Sequence, residues 1–82
     1  MYYIYVLKSL KSGKRYVGMT SQELSKRIAG HNQGATTWTR AHRPLELIYS
    51  ENSDSKSIAR IREKFLKTGQ GSRFLDRILK KA

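Results

Sequence analysis

The chain has no cysteine, only six acidic residues among 82, and no apolar run longer than Met1 to Leu7. Without cysteine there are no disulfides, no thiolate nucleophile and no Cys-ligated zinc or iron–sulfur site. Six scattered acids, with no Asp-x-Asp pair, argue against a two-metal centre, which needs several carboxylates within a few ångströms. A seven-residue apolar run is far short of the ~20 residues a membrane span needs. No small-residue cleavage site follows it, so no secretory signal is read and a cytoplasmic location without membrane contact is expected. His-Glu-x-x-His and Gly-x-Ser-x-Gly motifs are also missing, and Gly69 to Gly71 lacks the Lys-Ser/Thr of a phosphate loop, so no small-molecule cofactor is expected. His31-Asn32 with His42 is too short a pattern to indicate a His–Asn–His nuclease.

What is present is positive charge. Seventeen Lys and Arg give a formal net charge of +11 at pH 7. Such a field favours polyanions, and nucleic acid before lipid because no stretch carries an aromatic anchor face opposite a lysine face. Residues 60–82 are the most basic, with Arg60, Arg62, Lys64, Lys67, Arg73, Arg77, Lys80 and Lys81 against Glu63 and Asp76. The length allows one small domain, residues 1–82, with 38% hydrophobic residues. That is too apolar for a disordered basic tail, although a chain this short buries only ~60% of its unfolded surface.

Tyr2 to Leu7 is β-branched and aromatic, apolar on both faces, and reads as a central strand. The Ser12-Gly13 turn leads to a second strand, Arg15 to Gly18, so residues 2–18 form a hairpin. Pairing indices that sum to 21 would set Tyr5 opposite Tyr16, with both rings on one face. Thr20 and Glu23 have capping-box spacing before a helix over about 21–32, with Leu24 and Ile28 inward and Arg27 and His31 beside that stripe. Residues 33–44 show no periodicity and read as a loop. Leu45 to Tyr49 is the third strand. Ser53 or Asp54 caps a helix over about 55–67 with Ile58, Ile61 and Phe65 inward, which leaves Glu63 off the stripe in an i,i+4 pair with Lys67. Thr68 to Gly71 reads as a helix stop, and Ser72 to Lys80 as a last helix with Phe74, Leu75, Ile78 and Leu79 on one side. The class is α+β: a three-stranded antiparallel sheet flanked by helices, in the order ββαβαα.

Tyr3-Ile4-Tyr5 and Tyr16-Val17-Gly18 lie on paired strands. They are followed by Arg27 and His31 one helical turn apart, and by Glu63 on a later helix. This series resembles the GIY-YIG nuclease superfamily, in its small single-domain bacterial form and in the N-terminal nuclease domain of UvrC. Leu24 to Asn32 looks like that family's first helix, Thr39-Arg40 before Pro44 to Leu47 is similar to its small members, and Ala59 to Lys67 looks like its metal-binding helix. The resemblance spans about residues 2–67. Tyr3 stands for the first glycine, Met19 for a lysine of UvrC and His31 for a frequent tyrosine, and the downstream asparagine of the repair enzyme has no counterpart here.

The resemblance implies a metal-dependent DNA endonuclease of repair or recombination type, structure-selective or directed by a protein partner. Glu63 would hold one Mg²⁺ or Mn²⁺, and one carboxylate can suffice because magnesium keeps several waters. Arg27 would take the scissile phosphate with its planar fork. Tyr16 would position or deprotonate the attacking water. A free phenol titrates near ~10, so that role needs cations nearby. Tyr5 would bond the phosphate or orient Tyr16, and His31 would be a phosphate ligand or the alternative proton acceptor. Lys14, Arg15, Trp38, Arg40, Arg43 and Arg62 are assigned to nucleic-acid contact, Trp38 by stacking on an exposed base. Two other readings stand beside this one. One is a non-catalytic nucleic-acid-binding module on the same scaffold. The other is an RNA-binding sheet that stacks bases on Tyr3 and Tyr5.

Overall fold

The structure is a computed structural model that describes residues 1–79; Lys80 and Lys81 of the basic C-terminal stretch lie outside the described residues. Strands β1 (Tyr2–Ser9), β2 (Arg15–Thr20) and β3 (Leu45–Ser53) form one antiparallel sheet in the order β2-β1-β3. The doubly apolar strand is therefore the central one. Helix α1 (Leu24–Asn32) follows β2, α2 (Thr37–His42) precedes β3, and α3 (Lys56–Leu66) and α4 (Gly69–Leu79) complete the described chain. The α+β class and ββαβαα order stand, with the short α2 inserted where the aperiodic loop was expected. No helix among the described residues is long and apolar enough to cross a membrane.

Side chains of β1 alternate between two cores, as pleating requires. Ile4 and Val6 pack with Ala59 and Leu66 of α3 and Leu75 of α4. Tyr5 and Leu7 pack on the other face with Leu45, Tyr16, Leu24, Ile28 and Trp38. The hairpin register differs from the expected one by two residues. Tyr5 pairs with Gly18 and Leu7 with Tyr16. A shift of two preserves the face, so the two tyrosine rings still share one side of the sheet.

Several local expectations are corrected. The Thr20–Glu23 capping box does not form: the Thr20 hydroxyl accepts from the Gln22 N–H, and α1 begins at Leu24. A reciprocal capping box does form in the expected loop, between Thr36 and Thr39, and it starts α2. Aperiodic hydrophobicity hid this helix because it is only six residues long. The cap of α3 is Ser55, whose hydroxyl accepts from the Ile58 N–H; Ser53 instead accepts from the Ser55 N–H. Thr68 to Gly71 is not a spacer between helices, because α4 starts at Gly69. Gly71 lies so close to α3 that a Cβ there would collide with the Phe65 carbonyl.

The largest correction concerns which side of α3 faces inward. Ile58 is 60% and Ile61 67% exposed, whereas Ala59 and Leu66 are buried and Arg62 and Glu63 half-buried. Phe65 is half-buried against the core as expected, but the rest of the inward side is 59-62-63-66, an i, i+3, i+4, i+7 pattern occupied by one small, two charged and one apolar residue. Arg62 fits there because Glu51 accepts from its Nε at 2.9 and 3.0 Å and because its guanidinium lies over the Phe65 and Phe74 rings. Arg62 thus holds α3 to β3 and α4.

Candidate active site

On the Tyr5 face the sheet buries polar groups. Gly18 sits directly across from Tyr5, and a Cβ at position 18 would fall 2.5 Å from the Tyr5 hydroxyl. The glycine of the Tyr16-Val17-Gly18 motif thus leaves room for the phenol of the first motif. From α1, His31 brings Nε2 to 2.7 Å from that hydroxyl, and the Arg27 Nε donates to it at 3.3 Å. Arg27 and His31 are four residues apart, so one helix face delivers both to the same oxygen.

The Tyr5 oxygen accepts from Arg27 Nε and shares one further hydrogen with His31 Nε2, donated by the phenol when the imidazole proton is on Nδ1 and by the imidazole when it is on Nε2. His31 Nδ1 is buried and has no hydrogen-bond partner among the described residues. Burial, and then the neighbouring Arg27 charge, lower the His31 pKa, which keeps the ring neutral. Burial raises the Tyr5 pKa; the Arg27 hydrogen bond and charge oppose that rise, while the nearby Tyr16 and Glu63 add to it. Tyr5 and His31 are both 0% exposed. Base stacking on Tyr5, required for an RNA platform, is therefore excluded.

Tyr16 is half-buried, and its ring meets the His31 ring edge-on at 5.1 Å. Trp38 packs beside it at 5.3 Å, and His42 stacks on Trp38 at 4.1 Å. Trp38 is therefore built into an intramolecular aromatic row. The Asn32 side chain pairs with both the N–H and C=O of Leu45, fixing the end of α1 to the start of β3. That tie had no signal in hydropathy; a backbone-mimicking Asn at a helix end was its only trace.

Glu63 reaches this region from the opposite side of the sheet. Helix α3 packs on the Ile4 face but contacts β2 as well as β1. At the β2 edge a cleft of about 280 Å³ opens between Arg15, Tyr16, Val17 and Trp38 on one side and Leu66, Lys67, Ser72 and Leu75 on the other. The Glu63 carboxylate is 16% exposed and pairs with Lys67 at 3.2 Å. The pair forms as the i,i+4 spacing predicts, but on the inward side of α3. Among the described residues no three His, Cys, Asp or Glu side chains gather. One hard oxygen donor, half-buried and near enough for its charge to act on Tyr5, fits a hydrated magnesium or manganese ion and does not fit an all-protein metal cage.

The GIY-YIG catalytic domain family matches residues 1–74. The chain belongs to that family. It is 41% identical over 68 residues to UPF0213 protein SSP2268 of Staphylococcus saprophyticus, covering 82% of this chain and 80% of the relative. It is 40% identical over 68 residues to UPF0213 protein CPE1444 of Clostridium perfringens, covering 82% and 71%. The solution NMR structure of the UPF0213 protein BH0048 from Bacillus halodurans superposes with a TM-score of 0.57 at 28% identity, over 95% of this chain and 85% of that one.

The remaining cations differ in their freedom. Arg15 is held by Asp76 at 2.7 Å and by the Ser72 hydroxyl at 3.0 Å. Arg40 donates to the Gly34 carbonyl at 3.3 Å yet stays exposed, and Lys14 and Arg43 are exposed. Arg27 has no carboxylate partner within salt-bridge distance among the described residues.

Proposed function

We propose that this GIY-YIG domain is a divalent-metal-dependent endonuclease that hydrolyses DNA phosphodiester bonds. The observation that carries the reading is the Arg27–Tyr5–His31 chain: a guanidinium with no carboxylate partner among the described residues, held by a buried phenol that is itself held by a buried imidazole. Burial assigns the roles. Tyr5 and His31 have no surface with which to touch a phosphate, so they position Arg27. Arg27 and Tyr16, both half-buried, meet the substrate: Arg27 binds the scissile phosphate and Tyr16 positions or deprotonates the attacking water. Glu63 would hold the Mg²⁺ or Mn²⁺, which supplies Lewis-acid stabilisation of the phosphate and the leaving oxygen. Lys14, Arg40 and Arg43, all exposed, would add phosphate contacts. A repair or recombination role, with a protein partner supplying specificity, is the finer part of this proposal and rests on the resemblance to the nuclease domain of UvrC.

The test uses purified protein with Mg²⁺ or Mn²⁺ on branched, nicked and plain duplex DNA. Cleavage is expected, and Glu63→Ala should abolish it while DNA binding persists. The Glu63–Lys67 ion pair favours a second reading, a binding module that has lost catalysis. Absence of cleavage on every substrate, with salt-sensitive DNA binding indifferent to Glu63→Ala, selects that reading.

A further inference from the structure

We propose that Lys67 is a phosphate-binding residue of the cleft, held on Glu63 in the metal-free protein and released to a substrate phosphate when Glu63 takes a divalent cation. This rests on the endonuclease reading above and extends it to a residue outside the motif set. Lys67 lines the cleft with Tyr16. Its ammonium lies 3.2 Å from the carboxylate, and the two side chains are unequal: Lys67 is 54% exposed and Glu63 16%. The carboxylate is fixed on the inward face of α3, whereas the ammonium ends a flexible four-carbon stem at the solvent boundary. Arg15, the other cation lining this cleft, is pinned to Asp76 and Ser72 and has no such exchange open to it.

An i,i+4 pair whose lysine stands in solvent is weakly held on the lysine side and open to exchange. A dication on Glu63 would neutralise the carboxylate and repel the ammonium. Lys67 can then satisfy its charge within reach of its stem by turning toward the cleft, where a phosphate supplies the anion. Metal and DNA would therefore bind with positive coupling, each raising the affinity for the other. The same device keeps the carboxylate charge-compensated between turnovers.

Two measurements on the full chain test this. Mn²⁺ binding to the protein alone, read by electron paramagnetic resonance, should tighten about twofold in Lys67→Met, because the internal competitor is gone. DNA binding with Ca²⁺ present, read by fluorescence anisotropy across a NaCl series, should show a shallower log–log salt slope in Lys67→Met by about 0.9, the value of one phosphate contact. Lys67→Arg should restore the slope. Without Ca²⁺ the wild-type and Lys67→Met slopes should coincide. A merely structural pair would not give opposite effects on metal and DNA. Equal slopes in the two proteins with Ca²⁺, or an unchanged Mn²⁺ affinity in Lys67→Met, overturn the proposal while leaving the endonuclease reading intact. If Glu63→Gln leaves Mn²⁺ binding unchanged, both fall together.

Discussion

The two faces of the central strand carry different residue types. Toward α3 and α4, β1 offers Ile4 and Val6 to Ala59, Leu66 and Leu75, all buried hydrocarbon. Toward α1 and α2 it offers Tyr5, which lies among an imidazole, a guanidinium and a second phenol. One strand thus separates a face that stabilises the fold from a face that holds polar groups in fixed geometry. The second face is the costlier to bury, because each polar group removed from water needs a partner. It is tolerable here because hydrogen bonds link the groups in series, with His31 Nδ1 left over. A domain this small can bury such a chain only if the opposite face supplies apolar contact.

That contrast can be broken from either side. The largest stability loss is expected on the apolar face. Leu66→Ala should cost about 3 kcal/mol in denaturant unfolding, while Ile58→Ala, on the outward side of the same helix, should stay within about 0.5 kcal/mol. If the two costs were equal, the inward stripe of α3 would be wrong. On the polar face, Tyr5→Phe keeps the ring but removes the oxygen between Arg27 and His31. It should cost about 1–2 kcal/mol and reduce cleavage more than DNA binding. A variant with undiminished cleavage would show that the phenol does not aim Arg27.

The smallest effect expected is a dependence on pH. The His31 pKa is lowered in the fold from 6.5, so the folded state binds fewer protons than the unfolded chain below that value. Stability is therefore whole above about pH 6.5 and falls as pH drops through the folded pKa. The Tyr5 pKa is raised from 10.0, so its contribution is whole below pH 10 and declines as pH rises beyond it. In His31→Gln the acid-side decline attributable to this ring should vanish from a pH series of urea midpoints. An identical acid profile in the variant would refute the assignment.

Parts of this arrangement are legible along the chain. The hairpin, the shared face of Tyr5 and Tyr16, and the grouping of Arg27 with His31 all follow from fixed periods, two per pleat and 3.6 per turn, which survive a register error of two. Helix α3 shows why legibility stops. Its isoleucines mark a stripe by hydropathy, yet the buried side is built on Ala59, Arg62, Glu63 and Leu66. An isolated helix cannot indicate that Glu51 and the Phe74 ring will receive Arg62, because those two partners come from β3 and α4.

The sequence by itself determined the α+β class, the central position of the first strand, the basic field and the ordered residue set, because local period, composition and spacing are properties of the chain. Only the tertiary structure decided that Gly18 leaves space for the Tyr5 hydroxyl, that His31 is wholly buried, and that Glu63 turns inward at the edge of β2. Each of these depends on which distant groups desolvate or satisfy a side chain, and that depends on how the elements meet.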